Sequence, residues 1–440
     1  MKVYVHRLGC PKNDVDADYI LARLASEGHE PVSSPELAES IIVNTCGFIL
    51  PAKQESINEI IRLGRLKKDG TLKRLYVSGC LAQRYGGDLL KGLPEIDGAF
   101  GLGRIDSIAR ALGDLRRSGD PDSIESRQLD YLAYRKRHLT DNFPYAYLKI
   151  SDGCSRQCSY CAIPSIRGRY RSRPLADIVR EAEFLASHGK KELILVSQEA
   201  TLYGHDLKDG SDIIRLLDAL TTIEQVRWIR LMYLHPSNLT PELIRYLVSG
   251  GKALPYFDLP LQHINSDVLK AMKRQVSRRR IENLLGEIRK QGDTAIIRTT
   301  FIVGFPGETG RQFRELVDFV AEYKFDRLGV FTYSREEDTA AAKLERQVSE
   351  KVKRERLDEL MTVQQEIAFR RNRDLIGRTV EALVDSADGS LVASGRTRAD
   401  CPEIDQEVRI TGEGMSVGDF VEVVIESTDG YDLVGSRIRG

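Results

Sequence analysis

The chain of 440 residues is 41% hydrophobic and 30% charged, and its 65 basic and 65 acidic side chains balance to a net charge of zero. That length exceeds one ordinary core and predicts two or three domains of soluble, globular character. No stretch approaches the ~18 apolar residues of a membrane span and the start lacks a leader's basic-then-apolar order; seven cysteines, some clustered, point to metal binding or catalysis in the cytoplasm, not a secreted disulfide scaffold.

Residues 1–117 alternate short apolar runs with amphipathic segments: KVYVHRLG, VDADYILARLASEG, SIIVNT, KQESINEIIRLGRLKKDG, LYVSG. This β-α-β-α-β order predicts a doubly wound α/β domain on a parallel sheet. Cys10, Cys46 and Cys80 each fall just past the carboxyl end of a predicted strand, the edge where open α/β sheets bind ligands. Convergence there would make one three-thiolate site; the competing reading is three half-buried thiols. A polar passage, RRSGDPDSIESRQ, makes 118–139 a linker.

From 140 to 372, six strand candidates (YAYLKIS, ELILVSQ, WIRLMYL, YFDLPLQ, AIIRTTFIVGF, RLGVFTYS) separated by helical stretches predict an open (β/α)6 partial TIM barrel. Cys154, Cys158 and Cys161 form the run GCSRQCSYC directly after the first strand. A structural zinc site closes with a fourth Cys or His, and none stands at the usual spacing. Three thiolates can instead hold a cubane iron-sulfur cluster with one iron open to a small chelating molecule. Ser197 and Gln198 lie where the second strand stops, and Gly304 and Gly307 flank Pro306 in a loop permitting close backbone approach, so all four are candidates for a cofactor cradle. Arg167, Arg169, Arg171 and Arg173 follow the cysteine run, where a solvated basic face competes with carboxylate binding; His263 reads as structural or as lining the barrel mouth. Lys343 to Asp374, free of Gly and Pro, predicts one long helix.

Residues 373–440 contain five short glycine-punctuated strands and predict a small antiparallel OB-like barrel. From Gly377 onward six arginines face thirteen acidic residues, a net −7 that the remaining +7 hides. An acidic module is ill suited to an RNA backbone and would attract a basic protein. Cys401, isolated here, is expected to be a packing or surface residue.

The C-x3-C-x2-C run at a β/α barrel mouth resembles the radical S-adenosylmethionine (SAM) enzymes. With LGCPKN, NTCGFI and SGCLAQRY and the small terminal barrel, the chain is similar over nearly its whole length to the methylthiotransferases. The resemblance implies a methylthiotransferase domain, a radical SAM core and a TRAM domain. It implies two 4Fe-4S clusters, one on Cys154, Cys158 and Cys161 and one on Cys10, Cys46 and Cys80. It further implies S-adenosyl-L-methionine as radical source and methyl donor, a sulfide or polysulfide co-substrate, and Tyr160 near the adenine. The first cluster would generate the radical that removes a substrate hydrogen; the second would carry the sulfur. Such a C–H bond is beyond any side-chain base, which is why a cofactor is needed.

Members of this family act on a tRNA adenosine or on the β-carbon of an aspartate of small-subunit ribosomal protein twelve. SYCAIPSIRGRYRSRP, LGCPKN and ADCPEIDQE look like the second kind, although Cys401 and Gln406 replace an expected Ala and Gly. The expected partners are that ribosomal protein, docked on the acidic tail, and a low-potential electron donor of flavodoxin or ferredoxin type. The alternatives are the tRNA reaction and a non-catalytic iron-sulfur or zinc protein that binds nucleic acid.

Overall fold

A computed structural model describes residues 1–113, 136–292 and 294–438. Of the expected linker, 118–135 lies outside the described residues.

The first unit is a parallel sheet of β1 (Lys2–Arg7), β2 (Glu30–Pro31), β3 (Ser40–Thr45), β4 (Arg74–Gly79) and β5 (Gly98–Phe100), ordered β2-β1-β3-β4-β5. Its central strand, SIIVNT, is buried at every position, as a strand covered on both faces must be. Helices α1 (Pro11–Ser26) and α4 (Ile105–Gly113) pack with Val3, Val5 and Ile42 on one face. Helices α2 (Leu50–Lys68) and α3 (Cys80–Gly92) pack with Ile41, Val43, Leu75 and Val77 on the other. The edge strands β2 and β5 are too short to display an alternation, which is why the sequence did not reveal them.

The second unit has six parallel barrel strands where the sequence predicts them: β6 (Tyr145–Lys149), then, after the short antiparallel pair β7 (Ser151–Asp152) and β8 (Arg171–Ser172), β9 (Glu192–Val196), β10 (Trp228–Leu231), β11 (Tyr256–Gln262), β12 (Ile296–Val303) and β13 (Arg327–Thr332). They form two ladders of three, with a single bridge, Ile229 to Ala253, where the ladders meet. Side chains alternate along the strands. Ala146, Leu148, Leu193 and Leu195 pack beneath the barrel helices. Tyr145, Tyr147, Ile194 and Val196 join one continuous core with Val15 and Tyr19 of α1 and with Leu383 and Cys401 of the tail. The first unit thus shares its core with the barrel.

The long helix spans Glu350–Arg373, starting later than expected. Arg346 has a positive φ of 56° and its carbonyl is taken by the Gly307 amide, so helix cannot run through it. The helix begins instead at Ser349, whose hydroxyl accepts from the Val352 amide.

The tail closes as a five-stranded barrel of β14 (Thr379–Ala387), β15 (Val392–Thr397), β16 (Val408–Thr411), β17 (Phe420–Asp429) and β18 (Asp432–Arg437), ordered β14-β15-β16-β18-β17. Four pairings are antiparallel; the β16–β18 pair that completes the ring is parallel. This barrel seats against the amino-terminal ends of the large barrel's strands. Arg396 pairs with Glu192 at 2.8 Å, Arg327 with Asp400, and Phe420 stacks edge-on against Trp228 at 5.0 Å. The carboxyl ends are left to the first unit.

Candidate active site

Cys10, Cys46 and Cys80 do converge. Each sits at the carboxyl end of β1, β3 or β4, and a Cβ added to Gly9, next to Cys10, would meet Cys46 Sγ at 3.1 Å. Two glycines let the loops close. A Cβ on Gly9 would lie 2.6 Å from the Cβ of Cys46, and one on Gly47 would lie 2.7 Å from the Leu81 backbone. Both distances are shorter than atoms tolerate, so Gly47→Ala is expected to push the Cys46 loop off α3. If each trio holds a cluster, as the resemblance implies, purified Gly47→Ala protein should hold about half the wild-type iron, read by iron and acid-labile sulfide analysis.

Ser56 fixes Cys46 by accepting from its amide at 3.1 Å and donating to its carbonyl at 3.0 Å. Asn13 ties the loops together. Its Nδ2 donates to the carbonyls of Leu8 and Thr45 at 2.9 and 3.0 Å, and its backbone carbonyl accepts from Asn44 Nδ2 at 2.7 Å.

Cys154, Cys158 and Cys161 form a second trio in the loop after β7. Arg274 approaches Cys158 Sγ with Nη1 at 3.8 Å, and the Cys154 amide donates to Gly168 at 3.0 Å. Tyr160 packs among Val268, Met272, Phe305 and Tyr333, and burial drives its phenol pKa well above the ordinary value. Burial likewise pushes the thiols of Cys80 and Cys161 up to about 12. A thiol so reluctant to ionise becomes a thiolate near neutral pH when a metal takes the proton's place.

The donor chemistry therefore suits metal. Among the described residues no three His, Cys, Asp or Glu side chains close around one point as a single ion demands. Three thiols on each of two sites are the donor set that a cluster with one open iron takes.

The two trios lie on adjoining elements. Cys80 packs against Ala162 and Ile166 of the segment that follows Cys161. Between them lies Arg167, at the end of helix α5 (Ile163–Arg167). Its guanidinium pairs with Asp152 at 2.9 Å and Asp16 at 3.3 Å, and donates to Asn13 Oδ1 at 2.7 Å. The arginine run thus splits: Arg167 and Arg173 are buried and paired inside, Arg173 with Glu181 at 2.7 Å, while Arg169 is exposed. The run therefore does not form one uniform face: its two ends are buried, Arg169 is exposed and Arg171 lies half-buried.

At the barrel mouth, Ser197 Oγ and both amide atoms of Gln198 are buried without partners, as are Gln262 Oε1 and His235 Nε2. Buried polar atoms are ordinarily satisfied, so this orphaned set fits a polar ligand. Gly304 admits the close approach expected of it, but from Lys353, whose Cγ would lie 2.3 Å from an added Cβ; Gly307 has nothing within 4 Å of that position. His263 is fully buried, its Nδ1 accepting from the Asn265 amide at 3.0 Å, and burial lowers its pKa to about 3. Sequence reasoning missed Arg274, Asn13 and Lys12, which share no spacing signal with the cysteines.

The acidic phrase ADCPEIDQE is only partly turned outward, with Glu403 and Glu407 exposed. Asp400 pairs with Arg327, Asp405 lies 3.5 Å from Arg298, Cys401 is buried, and Glu403 accepts from the Tyr147 hydroxyl at 3.2 Å. These groups plug the base of the large barrel and neutralise its arginines. Further exposed acids of the tail include Glu422 and Glu426 on the outer side of β17.

Residues 148–320 match the radical SAM superfamily, 376–438 the TRAM domain, and 2–101 an uncharacterized protein family, UPF0004. The chain is 44% identical to the ribosomal protein uS12 methylthiotransferase RimO of Clostridioides difficile, covering 99% of this chain and 98% of the relative. It is 45% identical to that of Pelobacter propionicus, covering 99% and 97%. Among solved structures it resembles the radical SAM methyltransferase TsrM of Kitasatospora setae, with a TM-score of 0.55 at 17% identity over 75% of this chain and 72% of that one, a likeness of fold.

Proposed function

Because the chain belongs to the ribosomal protein uS12 methylthiotransferase family, we propose that it adds a methylthio group to the β-carbon of an aspartate of uS12. The observation that carries this reading is the pair of cysteine trios, one at the barrel mouth and one on the sheet edge, with Cys80 packed against the segment that follows Cys161. Cys154, Cys158 and Cys161 would hold one 4Fe-4S cluster and Cys10, Cys46 and Cys80 the other. When bound, these clusters with S-adenosyl-L-methionine supply radical generation, sulfide or polysulfide carriage and methyl donation.

The chain's own residues position and enclose. Ser197 and Gln198 present unpartnered polar groups to S-adenosyl-L-methionine at the end of β9, and Tyr160 offers its ring beside the second trio. Gly304 and Gly307 shape the loop after β12 on the same rim. Arg274 and Arg167 place fixed positive charge beside Cys158 and near Cys80 and Cys10, which favours thiolates and an anionic sulfur. The first unit's shared core lids the barrel and keeps water from a reactive carbon centre.

The ribosomal protein is basic and would meet the outward acids of β17; an electron donor of flavodoxin or ferredoxin type would supply electrons. Reversing Glu422 and Glu426 to Lys is expected to weaken uS12 capture several-fold at low salt and little at high salt, measured by anisotropy across a salt series.

The deciding experiment incubates the anaerobically reconstituted enzyme with uS12, S-adenosyl-L-methionine, sulfide and reductant, and reads uS12 and tRNA by mass spectrometry. A methylthio mass shift on a uS12 aspartate is expected. Modified tRNA with unchanged uS12 overturns the substrate assignment.

A further inference from the structure

Lys12 lies two residues past Cys10 in the first turn of α1, and only 7% of it is exposed. Its ammonium donates to the Ser197 carbonyl at 3.3 Å and sits 3.7 Å from the centroid of the Tyr233 ring. Among the described residues no carboxylate pairs with it. The other buried cations nearby are neutralised: Lys149 by Asp16 and Asp152, Arg167 by the same two carboxylates, Arg173 by Glu181. Burying an unpaired charge is costly, and an aromatic face offsets that cost without cancelling the charge.

The ring beneath Lys12 is held under strain. Tyr233 follows the end of β10 with a φ of 61°, a left-handed conformation uncommon for a bulky side chain. Both its backbone groups are pinned, the amide donating to Asp258 Oδ2 at 3.0 Å and the carbonyl accepting from the Ala200 amide at 3.1 Å. Strain of this kind persists where the surroundings over-determine it, commonly at a ligand site. A buried cation with no carboxylate partner among the described residues, seated two residues from Cys10 over a pinned aromatic ring, has the chemistry to take a carboxylate.

We propose that Lys12 pairs with the side-chain carboxylate of the target aspartate. The assignment rests on the uS12 reading above and adds the residue that selects the side chain. The carboxylate is one bond from the β-carbon, so an anchor there fixes the reacting atom between the trios. The methionine carboxylate of S-adenosyl-L-methionine shares this chemistry and is separated by the test.

The test uses reconstituted holoenzyme and labelled uS12 carrying the target aspartate or Asn in its place. Wild-type enzyme is expected to hold the aspartate form about 10- to 100-fold more tightly, the range for a charge-assisted contact. Lys12→Met should bind both forms alike, with iron content and S-adenosyl-L-methionine affinity unchanged, and Lys12→Arg should restore part of the preference. If Lys12→Met loses iron, the wild-type and Lys12→Arg ratios decide. Equal binding of both forms by wild type overturns the proposal. So does a preference that survives in Lys12→Met, or a variant weakened toward S-adenosyl-L-methionine with its preference intact. When wild type modifies uS12 in these cases, the assignment of Lys12 falls and the function stands; unmodified uS12 removes both.

Discussion

Cys158→Ala is expected to abolish reductive cleavage of S-adenosyl-L-methionine to 5′-deoxyadenosine, whereas Cys46→Ala should retain that cleavage and lose all sulfur insertion. The two cysteines belong to separate trios on separate elements, one in the loop after β7 and one at the end of β3. Ser56 holds Cys46 through both backbone groups, and Arg274 reaches toward Cys158 alone. Neither support is shared, so each substitution should empty its own site. Two full 4Fe-4S clusters correspond to about eight irons per chain, and each variant should fall to about four. Chromatography of 5′-deoxyadenosine, mass spectrometry of uS12 and iron analysis on the same preparations give the three readouts. Identical behaviour of the two variants would end the division of labour.

Arg167→Met should destabilise the junction between the first unit and the barrel by about 3–5 kcal/mol, the cost of stripping a buried ion pair of one partner. Arg167 pairs with Asp152 and Asp16, and Met can satisfy neither, nor the Asn13 carbonyl that accepts from Nη2. Asp152 is wholly buried, and desolvation already raises its pKa; removing the guanidinium that opposes this should raise it further. The expected result is a lower urea midpoint together with faster alkylation of Cys10 and Cys80, which the loosened junction would expose. Arg167→Lys keeps the charge without the fork and should lie between. A Met variant as stable as wild type, with cysteines equally protected, would show that the shared core alone joins the units.

Much of this was legible in the chain itself. The spacing of Cys154, Cys158 and Cys161 is a local, covalent property of one loop, so it survives without knowledge of the fold. The six barrel strands and the five of the tail also announce themselves, since apolar alternation is written residue by residue. Cys10, Cys46 and Cys80 could be placed at strand ends, but their meeting depends on the order β1-β3-β4 and on Gly9 and Gly47 letting the loops touch.

Charge was least legible. A net −7 in the tail describes composition, whereas Asp400 and Asp405 spend theirs on Arg327 and Arg298 inside the molecule. The solitary charge of Lys12 is the reverse case, an ordinary lysine in sequence that burial turns into an unsatisfied cation. Short-range patterns are set by the order of residues along the backbone. Which charges cancel, and which stay open for a substrate, depends on partners that the fold brings together, as Ser197 is brought to Lys12 over 185 positions, and such pairings exist once the chain has packed.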